Sequence, residues 1–443
     1  MASLKIVVTP NGRQSAIVIG GGPAGLTAAY RLLQGGVRTA LVSPSSMPGR
    51  QVRRTEDPAP PILGCHHATW ALLQSLDIRR DPFLFAESSL EFLLADGRLA
   101  RYPKTRFPTP LQQLLTIGRF AGLSRGERWK LLSWLEQLWE GSLDLPADLE
   151  HRTARHWLES LEYSRRTTES VWAPLAGWLT GNDLDQLSAD AFVTAVKPFF
   201  LSGGANSRVW VWRGPSERLL AQPMADRLIK SGATLSAETE AVRFEFQDDR
   251  MIGVRLRDGT VLHADWYVSA VPALQLTPLL PERWLTRYAY FQHIAELTTI
   301  PCATVHVRTT TPTSARQILL GSGPFRWVSC MPSQEDGHFS GRLAMSPDSG
   351  STDVTQEAST LLRALRLLAV GDRLTEFRHR EAPAVLSLSP GTKVRRPIQR
   401  SPIRNLLLAG AWTDTGWPAN LESAIVSGER CAEVILQLKE RPH

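Results

Sequence analysis

The residues with the clearest chemical purpose are Gly20-Gly21-Gly22-Pro23-Ala24-Gly25. Spaced as G-x-G-x-x-G, they leave the main chain bare where a phosphate must come close. Gly20 permits a tight turn, Gly22 lets backbone approach a pyrophosphate, and Gly25 lets a helix pack closely on a strand. A diphosphate placed there lies against free N–H groups at the positive end of a helix dipole. The chemistry to expect is dinucleotide binding. Ser43 stands where such a fingerprint normally closes, about 20 residues on, with an acid that accepts hydrogen bonds from the ribose. A serine hydroxyl can serve the same ribose without the strength of a charge-assisted bond. Arg50, just past that point, is placed to reach a phosphate.

Positioning those residues takes a strand, a turn, a helix and a second strand. The sequence supplies them in order: an apolar run at Ala16 to Ile19, the glycines, a helix-period segment from Gly25, and an apolar run at Thr39 to Val42. The fold class expected is α/β. The chain ends in the same way, with a buried-strand run at Leu406 to Ala409, Gly410, a polar loop, and a helix from near Asn420. That second helix N-terminus is available to an electron-rich acceptor. Between the two units, Ala237 to Pro272 reads as a run of strands turning at Asp248-Asp249 and Asp258-Gly259.

The totals exclude several classes of function. At 443 residues the chain exceeds what one hydrophobic core usually supports. Its 43% hydrophobic and 21% charged residues are those of a folded protein. Fifty Lys and Arg against 43 Asp and Glu give +7, but without the clustering or the module that a nucleic-acid partner requires. A mild basic excess fits an anionic membrane surface better. Cys65, Cys302, Cys330 and Cys431 lack C-x-x-C spacing, so neither zinc nor a disulfide framework is indicated, and no metal is expected. No apolar run approaches ~18 residues, and the first residues lack the layout of a signal peptide. The expectation is a cytoplasmic protein, soluble or peripheral on the inner membrane face.

Other stretches are read more briefly. Lys5 to Val8 is a short strand, and Asp57 to Pro61 breaks the pattern. Gly64 to Ile78 carries helical spacing, and Leu90 to Tyr102 is a hairpin turning at Asp96-Gly97. Pro108 to Gly141 holds two helices parted at Gly122 to Gly126, the second opened by a capping box of Ser124 and Glu127. On that helix Leu131, Leu135 and Leu138 form a stripe, while Trp129, Trp134 and Trp139 spread around it. Such a helix suits a lipid headgroup boundary, or equally the wall of an apolar cavity. Arg208 to Trp212 alternates as a strand with both tryptophans on one face, and Thr355 to Ala369 is an amphipathic helix.

The order of these parts resembles the amine-oxidase and phytoene-desaturase superfamily of FAD flavoproteins, and within it the squalene-associated desaturases, or hydroxysqualene dehydroxylases. The stretches that carry the resemblance are ILGCHHATWALLQSLD, ADWYVSAVP and AGAWTDTGWPANLESAIVSG. In the last, Trp412, Thr413, Thr415, Gly416, Pro418, Ala419, Glu422 and Ala424 agree with the family pattern. The resemblance implies a Rossmann-type FAD-binding domain interleaved with a mixed α+β substrate domain. The FAD segments would be 1–60, 205–272 and 395–443, and the substrate segments 61–204 and 273–394.

It further implies FAD with its diphosphate at Gly20 to Gly25, adenine against the backbone of Val242, and Gly410, Ala411, Trp412, Asn420 and Leu421 near the flavin. The substrate implied is a C30 polyisoprenoid drawn from the membrane, and the reaction is reductive removal of the allylic hydroxyl of hydroxysqualene to give squalene. The alternatives are a carotenoid-type desaturase or isomerase, a flavin-less lipid-binding relative without redox activity and, a weaker option, an amine oxidase. A leaving hydroxyl needs a proton donor, for which His66, His67 and Glu422 are candidates; no catalytic residue is assigned. Ser43 and Ala411 stand where the family has acids, each loss worth about 1.5 to 3 kcal/mol of FAD binding. The oligomeric state is not legible.

Overall fold

The computed structural model describes residues 14–44, 61–78, 85–103, 111–140, 145–201, 205–213, 217–309, 314–332, 339–345, 353–369, 371–372, 374 and 376–439. The readings at Lys5 to Val8, at Arg50 and at Asp57 to Pro60 lie outside these residues.

The chain begins as expected. Strand β1 (Ser15–Ile19) leads through the glycine turn into helix α1 (Pro23–Gln34), and β2 (Arg38–Val42) returns parallel to β1, pairing Ile17 with Ala40. Then come β3 (Ile62–Leu63), α2 (His67–Ser75), and the hairpin of β4 (Phe85–Leu93) and β5 (Leu99–Arg101). Helices α3 (Leu111–Arg119), α4 (Arg125–Trp139) and α5 (Ala154–Ser160) follow, then the helices Ala173–Thr180 and Ala189–Leu201.

Next are β6 (Val209–Trp212), the helix Gln222–Lys230, β7 (Thr234–Ser236), β8 (Ala241–Gln247), β9 (Arg250–Leu256), β10 (Val261–Leu262) and β11 (Trp266–Ser269). The remainder adds β12 (Thr299–Thr309), β13 (Arg316–Leu320), β14 (Phe325–Pro332), β15 (Phe339–Met345) and the helix Val354–Ala364. It closes with β16 (Glu376–Leu386), β17 (Leu406–Leu408) and the helix Leu421–Lys439.

Three sheets result among the described residues. A five-stranded parallel sheet runs β17-β11-β1-β2-β7, a three-stranded meander runs β10-β9-β8, and a larger mixed sheet runs β16-β12-β15-β14-β13-β4-β6-β3. Trp266 to Ser269, read as the end of the meander, instead pairs in parallel with β1, Val18 opposite Val268. Both its faces are covered, as the near-continuous apolar run WYVS requires. The meander is tied to this sheet by buried Asn405, which bonds the Met251 main chain through both its oxygen and its nitrogen and also reaches the Asp265 carbonyl.

The sequence placed Val209 to Trp212 within the FAD-binding segment 205–272, yet β6 pairs with β4 and β3 in the larger sheet. Alternation explains the difference. Trp210 and Trp212 pack into the core built by α1, α2 and the last helix, while Val209 belongs to the core of the larger sheet. The strand therefore serves both halves. The amphipathic helix read as far as Ala369 ends at Ala364, with Arg366 at a positive φ of 57° just beyond.

The capping box at α4 does more than start a helix. Ser124 N–H donates to Glu127 Oε2 at 2.9 Å, and Glu127 N–H to Ser124 Oγ at 3.4 Å. The same carboxylate accepts from Ser164 N–H (3.0 Å), Ser164 Oγ (2.8 Å) and Thr167 Oγ1 (2.8 Å), tying α4 to the turn after α5. Burial by itself pushes the Glu127 carboxyl up, but the hydrogen bonds from Ser124 and Ser164 outweigh it and hold the pKa at about 2. No helix among the described residues is long and apolar enough to cross a membrane.

A depressed carboxylate contributes stability above its unfolded value of 4.5 and loses it as pH falls toward 2. Glu127→Gln should therefore be less stable than the parent by about 2 kcal/mol at pH 7, with the gap closing toward pH 2. Urea unfolding at both pH values measures this, and a pH-independent gap refutes it.

Candidate functional site

The carboxyl ends of β1, β11 and β17 lie side by side, and their loops form one rim. Open α/β sheets bind ligands at this end. The turn at Gly20 to Gly22 is tight for stated reasons. Gly20 has φ +113°, and a Cβ on it would stand 2.6 Å from the Ala270 carbonyl oxygen. A Cβ on Gly25 would meet the Gly20 oxygen at 1.9 Å. Gly22 differs from both. A Cβ there meets nothing within 4 Å, and Gly22 caps α1 without a side-chain hydrogen bond. Open space beside an uncapped helix N-terminus is what a diphosphate requires, so this geometry fits a dinucleotide. Behind it, a Cβ on Gly428 of the last helix would come within 2.3 Å of the Ala24 oxygen, so α1 and that helix touch backbone to backbone.

Ser43 is buried, its N–H donating to the Ser236 carbonyl and its own carbonyl accepting from Thr239 N–H. It therefore knits β2 to the chain after β7. Val242 lies in a bulge of the β8–β9 ladder, opposite no residue of β9.

The loop from Ala409 to Asn420 is the best-fastened part of the rim. Gly410, at φ +146°, donates its N–H to Ser427 Oγ, and Trp412 Nε1 donates to the Val271 carbonyl at 3.1 Å. Half-buried Arg396 donates to the carbonyls of Trp412 (3.3 Å), Trp417 (2.8 Å), Ala411 (3.1 Å) and Thr413 (2.6 Å). Burial of the guanidinium draws its pKa down to about 10, with Asp414 and Glu150 acting the other way, so it stays a cation at neutral pH. Gln399 holds Thr413 Oγ1 and the Asp414 carbonyl. Sequence reasoning missed Arg396 and Gln399. Neither stands in a motif, and a buried cation among carbonyls leaves no periodic signal. Where the family pattern has an acid, Ala411 contributes only its carbonyl.

Asn420 Oδ1 accepts from Ser423 N–H and so caps the last helix, which Leu421 begins. Glu422, buried in that first turn, accepts from Ala68 N–H (2.8 Å), Thr69 N–H (2.9 Å) and Thr69 Oγ1 (2.6 Å), which fastens the start of α2. Burial outweighs those bonds and raises its carboxyl above the usual range. Among the expected proton donors, Glu422 thus has a structural task. His67 begins α2 at the surface. His66 is buried at the start of α2, and burial with His67 nearby lowers its pKa to about 3, which removes it as a cationic acid at neutral pH.

A cavity of about 410 Å³ opens in the helical part, walled by Trp134, Trp157, Leu158, Trp172, Phe192 and Val196. Trp134 and Trp157 lie 5.0 Å apart, centroid to centroid. Lys130, its charged lining residue, is engaged by Glu162 and the Leu161 carbonyl. Trp129, on the same rim, is 73% exposed. Leu135, Leu138 and Trp139 have side chains outside the description.

Comparison with known proteins adds the following. A model of flavin containing amine oxidoreductases matches residues 23–436. The 15-cis-phytoene desaturase of Synechococcus elongatus is 25% identical, over 77% of this chain and 76% of that protein. The zeta-carotene desaturase of Synechocystis is 23% identical, over 96% of this chain and 97% of that protein. Among solved structures, a putrescine oxidase bound to putrescine superposes with a TM-score of 0.70 at 17% identity, covering 96% of this chain and 99% of that one. The cyclohexylamine oxidase of Brevibacterium oxydans gives 0.68 at 19%, covering 97% and 100%. The two structures speak for the fold alone.

Gly22→Ala should leave the free energy of unfolding within ~0.5 kcal/mol of the parent while lowering FAD affinity at least about tenfold, ~1.4 kcal/mol. Gly25→Ala should instead destabilise the fold on the order of 3 kcal/mol, since backbone meets the new methyl. Thermal unfolding without added FAD and flavin-fluorescence titration separate the two effects; equal behaviour of both variants refutes the assignment of Gly22.

Proposed function

This chain belongs to the flavin containing amine oxidoreductase family and is an FAD-dependent oxidoreductase; within that family we propose that it acts on a long apolar polyisoprenoid, desaturating it in the manner of the carotenoid enzymes. The observation that carries this reading is the cavity wall, which among the described residues presents mainly indole, phenyl and aliphatic surface, with Lys130, Ser133 and Tyr163 its polar members and no carboxylate. A hydrocarbon chain is accommodated there at little cost, whereas an amine finds no carboxylate in the wall, the neighbouring Glu162 being already paired with Lys130. The phytoene and zeta-carotene desaturases among the relatives support the same substrate class. They weigh toward the polyene alternative rather than toward hydroxysqualene, which the C-terminal motif put first.

Bound FAD supplies the two-electron chemistry. The chain's own share is to hold the diphosphate on bare main chain at Gly20 to Gly22, to fix the loop of Trp412 through Arg396, and to keep water from an apolar substrate. A second reading, removal of the allylic hydroxyl of hydroxysqualene, is favoured by the agreement of Trp412 to Ala424 with that group's pattern.

Incubation of FAD-loaded protein with phytoene, and separately with hydroxysqualene and a reductant, decides between them by chromatography. The expected product is a longer conjugated polyene from phytoene. Squalene alone establishes the second reading, and colourless protein that takes up no added FAD overturns both in favour of a lipid-binding relative.

Substrate of this kind is reached from a membrane surface, a further part of the proposal supported by Trp129 on the cavity rim and by Arg125 and Arg128 on the same helix. The protein should float with anionic liposomes at low salt, and Trp129→Ala should reduce the floated fraction at least twofold. Protein that stays at the bottom of the gradient refutes this.

A further inference from the structure

His66 is placed for a role that its burial alone does not explain. The main-chain N–H of Leu63 donates to His66 Nδ1 at 3.2 Å. An amide can only donate, so Nδ1 is unprotonated and the ring proton sits on Nε2. That Nε2–H is buried and meets no hydrogen-bond partner among the described residues, in a side chain 4% exposed. Buried donors in folded proteins are almost always paired, and an orphan carries the full desolvation penalty of its group. With the ring neutral at physiological pH, the donor is a standing one.

Its surroundings say what the missing acceptor belongs to. The ring stands edge-on to Trp417, with centroids 5.6 Å apart and planes at 86°. Trp417 lies in the loop after β17, at the same sheet end as the glycine turn, and Glu422 fastens the helix that His66 caps to the helix that follows that loop. A polyisoprenoid hydrocarbon has no acceptor atom to offer. A flavin ring has carbonyl oxygens and ring nitrogens.

We propose that His66 donates a hydrogen bond from Nε2 to an acceptor atom of the bound flavin ring, and so contributes to the affinity and potential of the cofactor. The proposal rests on the chain's use of FAD. Such a bond strengthens as the ring gains electrons, so it favours the reduced cofactor.

His66→Phe removes the donor and keeps an apolar ring beside Trp417. It should weaken binding of reduced flavin relative to oxidised flavin about tenfold, a fall of about 30 mV in the two-electron midpoint potential. His66→Gln, which keeps an N–H donor, should recover most of that fall. A His66→Phe protein with the parent's potential and flavin absorption spectrum overturns the proposal. So does a variant in which only the KM for a hydroxylated substrate moves, because the acceptor is then the substrate oxygen. Should His66→Phe fail to fold, the parent protein decides. With ring-15N histidine, the His66 Nε2 resonance should move when FAD is added to the flavin-free protein and again on reduction, and a resonance that stays put overturns the proposal. Parent protein without flavin absorbance after FAD addition fails the cofactor assignment itself, a separate readout, and takes this proposal with it.

Discussion

One guanidinium holds the rim of this molecule in shape. Arg396 points into a loop and donates to its carbonyls at Ala411, Trp412, Thr413 and Trp417, the first of which also accepts from Ser423 Oγ. A cation without a contacting carboxylate is costly to bury, and here four carbonyl dipoles take the place of a counter-ion. Lysine could not repeat the arrangement, because its three donors radiate from one nitrogen and cannot serve four carbonyls. Two of those carbonyls belong to Trp412, which bonds the Val271 carbonyl just past β11, and to Trp417, which stands against His66.

The same economy marks the dinucleotide cradle. Two acids that the family pattern places around FAD are Ser43 and Ala411 in this chain. What remains is main chain: an uncapped helix start at Gly22, the open space beside it, and backbone-to-backbone packing of α1 on the last helix at Gly25 and Gly428. Amides bind phosphate through geometry more than charge, so rigidity here matters more than side-chain chemistry. Glu422 contributes in kind, spending three hydrogen bonds on the start of α2.

The helical part is built on different terms. Its aromatic side chains leave a tryptophan-walled space between α4, α5 and the helix Ala189–Leu201. It shares one apolar core with the sheets, and polar joints add to that. Buried Asn182 reaches the main chain of Leu386 and Leu388 at the end of β16, and Arg326 holds Asp183 and the Gly181 carbonyl. The walls of the hollow, Leu131, Trp157, Leu158, Trp172, Phe192 and Val196, belong to that shared core, which holds them in place.

The sequence by itself determined what depends on neighbours along the chain. The strand, glycine turn and helix at Ser15 to Gln34, the hairpin at Asp96-Gly97 and the capping box at Ser124 and Glu127 are local, because turn geometry and helix capping are settled within a few residues. The resemblance of three separated stretches carried the FAD-binding fold, since their order survives where periodicity is mute. Tertiary structure alone decided the rest. Which sheet receives Trp266 to Ser269, which core takes the tryptophans of β6, that Glu422 accepts from the start of α2, and that Arg396 governs a loop well beyond it in the chain, all depend on partners brought together by folding. A lone charged or polar residue has no period to read. Its meaning comes only from what burial places against it.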